Sequence, residues 1–209
     1  NGKTPLHEAA LSIYGENLDT VELLIENSAD IDSLDDNGRA ALHEAAFSGK
    51  TAVCKKLIQA GASVNIFDDA HRSPLMEACL RGHFEVALDL IGNGAKVNEP
   101  DDNGRAALHD ASRGGYLAIV KALCASGASI DQTDNNGRTP LIEAVASNNF
   151  EVVRYLVERG ARMDLADADG VTPLIKAARA GNEEIIAFLI ECGANVDVKD
   201  NNGRNAAME

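Results

Sequence analysis

The sequence predicts an all-α-dominated solenoid, in which helix–turn–helix repeats stack side by side and hairpin loops join one repeat to the next. Three observations predict it. The glycine of an Asn-Gly turn recurs at Gly38, Gly104, Gly137 and Gly203, with Gly170 following Asp169 and His71 occupying the same slot, a period of 33 residues. Within each period, apolar residues fall at helical spacing in two short blocks separated by a Gly or Asn. After the second block an alanine always follows, at Ala29, Ala62, Ala95, Ala128, Ala161 and Ala194, ahead of an acidic, turn-rich stretch.

This period divides the 209 residues into repeats 1–36, 37–69, 70–102, 103–135, 136–168 and 169–201, with a partial repeat at 202–209, all within one repeat domain, 1–209. The first repeat is three residues longer, the excess falling around Ile13, Tyr14 and Gly15, and a wider turn between its helices is expected. A single repeat of this size cannot bury its own apolar face, whereas stacked repeats share a continuous core.

The first helix of each repeat carries Leu6, Leu42, Leu75, Leu108, Leu141 or Leu174. Small residues three and four positions later, such as Ala9 and Ala10 or Ala45 and Ala46, allow close helix packing. Thr4, Ser73, Thr139 and Thr172 are placed to cap these helices, with Pro5, Pro74, Pro140 and Pro173 at the first helical position, where a missing N–H does no harm. Repeats 2 and 4 have Ala40 and Ala106 at the cap instead. Losing a cap costs about 0.5–2 kcal/mol, so these repeats are expected to be locally softer unless their stacked neighbours compensate. The second helix has leucine at one slot throughout, Leu24, Leu57, Leu90, Leu123, Leu156 and Leu189, and Gly61, Gly94, Gly127, Gly160 and Gly193 stop it by supplying a left-handed residue.

Thr4, Pro5, Leu6 and His7, followed by Ala9 and Ala10, with a Gly-Ala pair closing the repeat, resemble the ankyrin repeat, and the resemblance spans the chain. It implies a curved solenoid whose concave side is lined by hairpins and first helices, and a role in protein binding. It also implies that His7, His43 and His109 are structural residues tying the helix start to the hairpins.

Composition narrows the function independently. A net charge of −14, from 33 acidic and 19 basic residues, opposes contact with nucleic acid or an anionic membrane surface. Neither a transmembrane-length apolar run nor a basic-then-apolar leader at Asn1 to Glu8 is found. Cys54, Cys79, Cys124 and Cys192 are too scattered for a zinc element and too few for a disulfide scaffold, and read as reduced thiols of an intracellular protein, cytoplasmic or nuclear. Cys79 takes the place of a core alanine, while Cys54 and Cys124 occupy apolar slots of second helices.

Other constellations yield no chemistry. His7, His43 and His109 share one slot on helices stacked about 8–10 Å apart, too far to meet on one zinc ion. Asp134, Asn136, Gly137 and Glu143 fit part of a calcium-loop pattern, as do Asp101, Asn103, Gly104 and Asp110, but Gln132 and Glu99 stand where the first acidic ligand belongs. No nucleophile elbow, metalloprotease motif, phosphate loop or dinucleotide fingerprint occurs. Neither an enzyme nor a cofactor or metal is expected.

Two polar columns remain. After the turn-glycine slot come Lys3, Arg39, Arg72, Arg105 and Arg138, then Val171 and Arg204; two residues beyond the core leucine come Glu8, Glu44, Glu77, Asp110 and Glu143, then Lys176, with Glu209 in the partial repeat. Helical geometry turns the second column away from the core, alongside Phe47 and Leu80. On one reading the carboxylates pair with the arginines in a solvated lattice worth little per pair. On the other, Glu44, Glu77, Asp110 and Glu143 recognise a basic, Arg- or Lys-containing segment of a partner protein, with Phe47 and Leu80 as apolar anchors and Arg39, Arg72 and Arg105 beside them. The sign change at Val171, Lys176 and Arg179 suggests that a basic ligand would engage repeats 1 to 5, with repeat 6 either ending the site or contacting an acidic group. The sequence therefore points to a non-catalytic protein-interaction module. A rival role is a cis-acting spacer or regulatory array supporting a channel or catalytic domain elsewhere in a longer chain.

Overall fold

The computed structural model describes residues 1–11 and 17–209, so the expected widening around Ile13, Tyr14 and Gly15 lies outside the described residues. Two compact halves form, Asn1–Asp102 and Asn103–Glu209. The N-terminal half contains α1 (Pro5–Leu11), α2 (Leu18–Glu26), α3 (Ala41–Ser48), α4 (Thr51–Gln59), α5 (Pro74–Arg81) and α6 (Phe84–Gly92). Its first helices α1, α3 and α5 pack in succession, as do its second helices α2, α4 and α6. In the C-terminal half α7 (Ala107–Gly114), α9 (Pro140–Ala146) and α11 (Pro173–Ala180) form the row of first helices. Behind them run α8 (Leu117–Ala125), α10 (Phe150–Glu158) and α12 (Glu183–Glu191), and a short 3-10 turn, Ala206–Met208, follows α11 in its row. Among the described residues all twelve α-helices pair within repeats and no strand forms.

The predicted leucines build both cores. Leu6, Leu42, Leu75, Leu57 and Leu90 are buried in the N-terminal half, and Leu108, Leu141, Leu174, Leu123, Leu156 and Leu189 in the C-terminal half. Removing each such side chain from water contributes about 1.5–3 kcal/mol. Leu24, in the first repeat, is only half-buried. Alanines and Cys79 fill the seam between first helices, where Ala10, Ala45, Ala46, Ala78 and Cys79 have essentially no exposed surface. Cys54 is likewise buried, Cys124 is half-buried with its thiol pushed up by desolvation, and Cys192 is exposed at the end of α12.

Second helices stop at glycines for a purely conformational reason. Gly61, Gly94, Gly127, Gly160 and Gly193 have φ between +85° and +97°, and a Cβ at any of them would meet nothing within 4 Å. Ser28 occupies this slot in the first repeat and adopts φ 64°, a left-handed conformation that a side chain disfavours.

Three of the four predicted hydroxyl caps form: Ser73, Thr139 and Thr172 accept from the backbone N–H of Met76, Ile142 and Ile175, whereas the Thr4 hydroxyl contacts His7 Nδ1. Repeats 2 and 4 are not left uncapped. His43 Nδ1 accepts the Ala40 N–H at 3.0 Å, and His109 Nδ1 accepts the Ala106 N–H at 3.1 Å. The expected softness of these repeats therefore has to be set against a histidine that satisfies a helix-start donor in place of the missing hydroxyl.

Candidate functional site

Each hairpin tip is fixed first by its own aspartate. Asp35 Oδ1 accepts from the backbone N–H groups of Asn37 and Arg39 at 2.8 and 3.0 Å, and Asp68, Asp134, Asp167 and Asp200 repeat the arrangement. The turn closes through Gly38 N–H to Asp35 O and Asp35 N–H to Arg39 O. At Gly38, φ is +71° and a Cβ would stand 2.8 Å from the Asp69 nitrogen, so glycine is required by both conformation and the next tip. His71 adopts φ 57° in the same slot and stacks on Phe67 with ring centroids 4.3 Å apart.

The three histidines then tie each helix start to the following tip. With Nδ1 accepting a backbone N–H, the imidazole is neutral and Nε2 carries the hydrogen. In His7, Nδ1 receives the Thr4 N–H and contacts the Thr4 hydroxyl at 2.9 Å. Nε2 of His7, His43 and His109 donates to the carbonyl oxygens of Arg39, Arg72 and Arg138, at 2.7, 3.0 and 3.1 Å. Desolvation by burial pulls His43 and His109 below the ordinary histidine range, which favours the same neutral form.

That tip geometry aims the arginine column at the carboxylate column. Arg39 Nε donates to Glu44 Oε1 at 3.0 Å, and its Nη1 lies 3.3 Å from Asp68 Oδ2 and 3.5 Å from Glu77 Oε1. Arg72 pairs with the same Glu77 oxygen at 2.8 Å and with Asp101 at 3.1 Å. Lys3 reaches Glu44 at 3.3 Å. In the C-terminal half Arg105 pairs with Asp110, Asp134 and Glu143, at 3.2, 3.7 and 3.0 Å. A carboxylate of the first helix thus bridges two successive cations. Burial pulls Arg39 and Arg105 down, but Glu77 with Glu44, and Glu143 with Asp110, outweigh it and hold both guanidiniums above their ordinary value.

Both sequence-based readings of the acidic column require correction on one point. Glu44, Glu77, Asp110 and Glu143 are only 3–4% exposed, and the lattice they form is buried rather than solvated. An arginine lies against each of them: Arg39 against Glu44 and Glu77, Arg72 against Glu77, and Arg105 against Asp110 and Glu143. Glu8 is the exposed member of the column in the N-terminal half. Phe47 is half-buried beneath the Arg81 guanidinium, 4.0 Å from its ring centroid, with Arg39 at 5.9 Å, and Leu80 is 39% exposed beside Arg81.

The calcium-like spacing resolves into the same lattice. Asp134 gives Oδ1 to two backbone N–H groups and lies near Arg105 through Oδ2, while Glu143 bridges Arg105 and Arg138. Sequence reasoning did not anticipate the turn aspartates as arginine partners. Their signal was the 29-residue offset between Arg39 and Asp68 and between Arg72 and Asp101, which puts them on adjacent tips. One carboxylate oxygen is left over. Asp35 Oδ2 is buried without a hydrogen-bond partner, because Lys3 stands where later repeats have arginine and its ammonium goes to Glu44. Burial pushes the Asp35 carboxyl up, but the N–H groups of Arg39 and Asn37 outweigh it and hold it below the ordinary range.

Comparison with known proteins agrees with this architecture. The profile described as "Ankyrin repeats (3 copies)" matches residues 1–68, 55–134, 75–167 and 159–209. No curated protein matches the chain. Among solved structures, the human ASB11 ankyrin repeat domain is 31% identical and superposes with a TM-score of 0.90, over 98% of this chain and 90% of that one. No helix among the described residues is long and apolar enough to cross a membrane. Ankyrin domains are generally non-catalytic protein-interaction modules. With twelve paired helices among the described residues, a Thr-Pro-Leu-His helix start at Thr4 to His7 and histidine-to-tip hydrogen bonds, the chain belongs to the ankyrin-repeat family.

Proposed function

We propose that this chain is a non-catalytic protein-interaction module whose partner contacts are centred, in the N-terminal half, on the first-helix face carrying Phe47, Leu80 and Arg81. The observation that carries this reading is an accessible apolar pair on top of a buried ionic lattice. Leu80 is 39% exposed, and Phe47 is half-buried with the Arg81 guanidinium 4.0 Å from its ring centroid. Aromatic and arginine side chains held rigidly by their neighbours are the residue types that dominate protein interfaces.

The carboxylates contribute indirectly on this reading. Glu44 and Glu77 position Arg39 and Arg72, whose side chains are 17–18% exposed, and Arg39 lies 5.9 Å from the Phe47 ring centroid. A basic residue of the partner would be met by Glu8 rather than by Glu44 or Glu77, since the latter two already bridge cations. An ion pair already made and desolvated is expensive to exchange.

The test is affinity capture from lysate with quantitative mass spectrometry, comparing wild type with a Phe47→Ala/Leu80→Ser variant shown to be folded by circular dichroism. Loss of a discrete set of proteins supports the reading, and an unchanged captured set overturns it. Charge reversal at Glu44 or Glu77 is a poor probe, because it breaks a desolvated ion pair, at a cost of about 3–5 kcal/mol, and sets a cation against the guanidinium beside it.

A further inference from the structure

We infer that Arg138 and Lys176, in the C-terminal half, form a docking point for a carboxylate side chain of an acidic peptide segment in a partner protein. This goes beyond the reading above, which concerns apolar contacts in the N-terminal half.

The ladder keeps a regular register. Where it is complete, a basic residue meets the carboxylate 38 residues ahead: Arg39 meets Glu77 at 3.5 Å and Arg105 meets Glu143 at 3.0 Å. The same step from Arg138 leads to Lys176. A cation stands where the bridging carboxylate belongs, on α11, which packs directly against α9. Arg138 is left with Glu143 alone at 3.8 Å, an oxygen that Arg105 already holds at 3.0 Å. Its side chain is 43% exposed, against 13–18% for Arg39, Arg72 and Arg105. The turn aspartate of this junction, Asp167, is half-buried and spends Oδ1 on the backbone N–H groups of Asp169 and Val171. Lys176 has no ion-pair partner among the described residues.

The next junction shows that a missing cation can be replaced from within the chain. Val171 removes the ladder arginine there, and Arg179, one turn further along α11, takes over: it bonds Asp200 and reaches Glu209 at 3.1 Å. At Arg138 and Lys176 no such replacement exists for the missing carboxylate. Lys176 also sits in the first turn of α11, where the helix dipole favours an acidic residue, so it breaks a local rule without a compensating internal contact. What the two cations lack is one carboxylate, supplied in cis where Arg39 meets Glu77 and Arg105 meets Glu143 and here left for a partner. The chain's charge of −14 does not prevent this, because beyond about 8 Å it is largely screened at physiological ionic strength.

The experiment is an NMR titration of the whole chain with acetyl-Ala-Glu-Glu-Ala-amide, following the Arg138 Nε–H and Lys176 amide signals. Acetyl-Ala-Gln-Gln-Ala-amide, inorganic phosphate and a short single-stranded DNA are the comparison probes. The expected result is saturable shifts at both residues with the glutamate peptide and none with the glutamine peptide. Lys176→Glu, which restores the residue type of the earlier repeats, should weaken binding about tenfold or more and raise the unfolding midpoint, and Arg138→Gln should weaken binding without that rise. No shift with the glutamate peptide, affinity unchanged in folded Lys176→Glu, or equal or tighter binding of phosphate or DNA would each overturn the proposal.

Discussion

Repeats 3, 5 and 6 start their first helices with a hydroxyl, and repeats 2 and 4 with an alanine, yet both kinds satisfy a donor at the helix start. In the hydroxyl repeats Ser73, Thr139 and Thr172 accept an N–H from within the first turn, and the slot that could hold histidine holds Met76, Ile142 or Ile175. In the alanine repeats His43 and His109 accept the N-cap N–H through Nδ1 and reach the next tip through Nε2. One kind of cap is local and apolar behind. The other spends a buried imidazole to join two repeats. Capping is therefore a property of the pair of positions, the cap residue and the one three further on, and alanine at the first is tolerable because of histidine at the second.

The largest expected effect comes from removing the imidazole. His43→Ala should destabilise the protein by about 3 kcal/mol, combining a cavity with two lost hydrogen bonds and an unsatisfied Arg72 carbonyl; urea unfolding measures it. Transplanting the repeat-3 pair sharpens the comparison. His43→Met alone should cost about 2 kcal/mol, and adding Ala40→Ser should recover about 1 kcal/mol, more than Ala40→Ser contributes when His43 is present. A double-mutant cycle reads that coupling. Thr139→Ala, where no histidine stands behind the cap, should cost about 1 kcal/mol, while Thr4→Ala should cost less than about 0.5 kcal/mol because His7 Nδ1 already receives the Thr4 N–H.

The histidine-capped repeats also make stability depend on pH. His43 and His109 have folded values below the unfolded value of about 6.5, so below that pH the unfolded chain binds more protons than the folded one. Their contribution is fully present above that pH and is lost progressively as pH falls through the folded values. The His43→Met/Ala40→Ser variant should show a shallower loss in the same window, measured by urea midpoints between about pH 7 and 5. A modest gain is expected at Lys3. Lys3→Arg should add about 0.5–1 kcal/mol by giving Asp35 Oδ2 a donor while keeping Glu44 paired.

Much of this was legible in the chain. The period, the leucine slots, the helix stops and three of the hydroxyl caps follow from local spacing, and all are found in the fold. The carboxylate column was legible as a column but not as a buried one. Exposure of Glu77 depends on Arg39, 38 residues earlier, lying across it, and helical geometry within one repeat carries no information about that arginine. The rescue of Ala40 was hidden for a related reason: a histidine at the third helical position reads as a tie to the hairpin until its other nitrogen is followed back to the cap. The break at Val171 and Lys176 was visible as a change of sign. That Arg179 repairs one junction while Arg138 stays open required the geometry.

The histidine bonds have a direction, and direction becomes time when the chain is made. His43 donates forward to a carbonyl 29 residues later, and His109 does the same. A histidine-capped repeat thus emerges from the ribosome with its forward tie unmade and waits about 1.5 to 6 seconds, at about 5–20 residues per second, for the acceptor to be synthesised. A hydroxyl-capped repeat has its cap as soon as its own first turn exists. Alternation of the two across repeats 2 to 5 sets a rhythm of self-sufficient and dependent repeats, so that the order in which helices become secure during synthesis need not follow the order in which they appear.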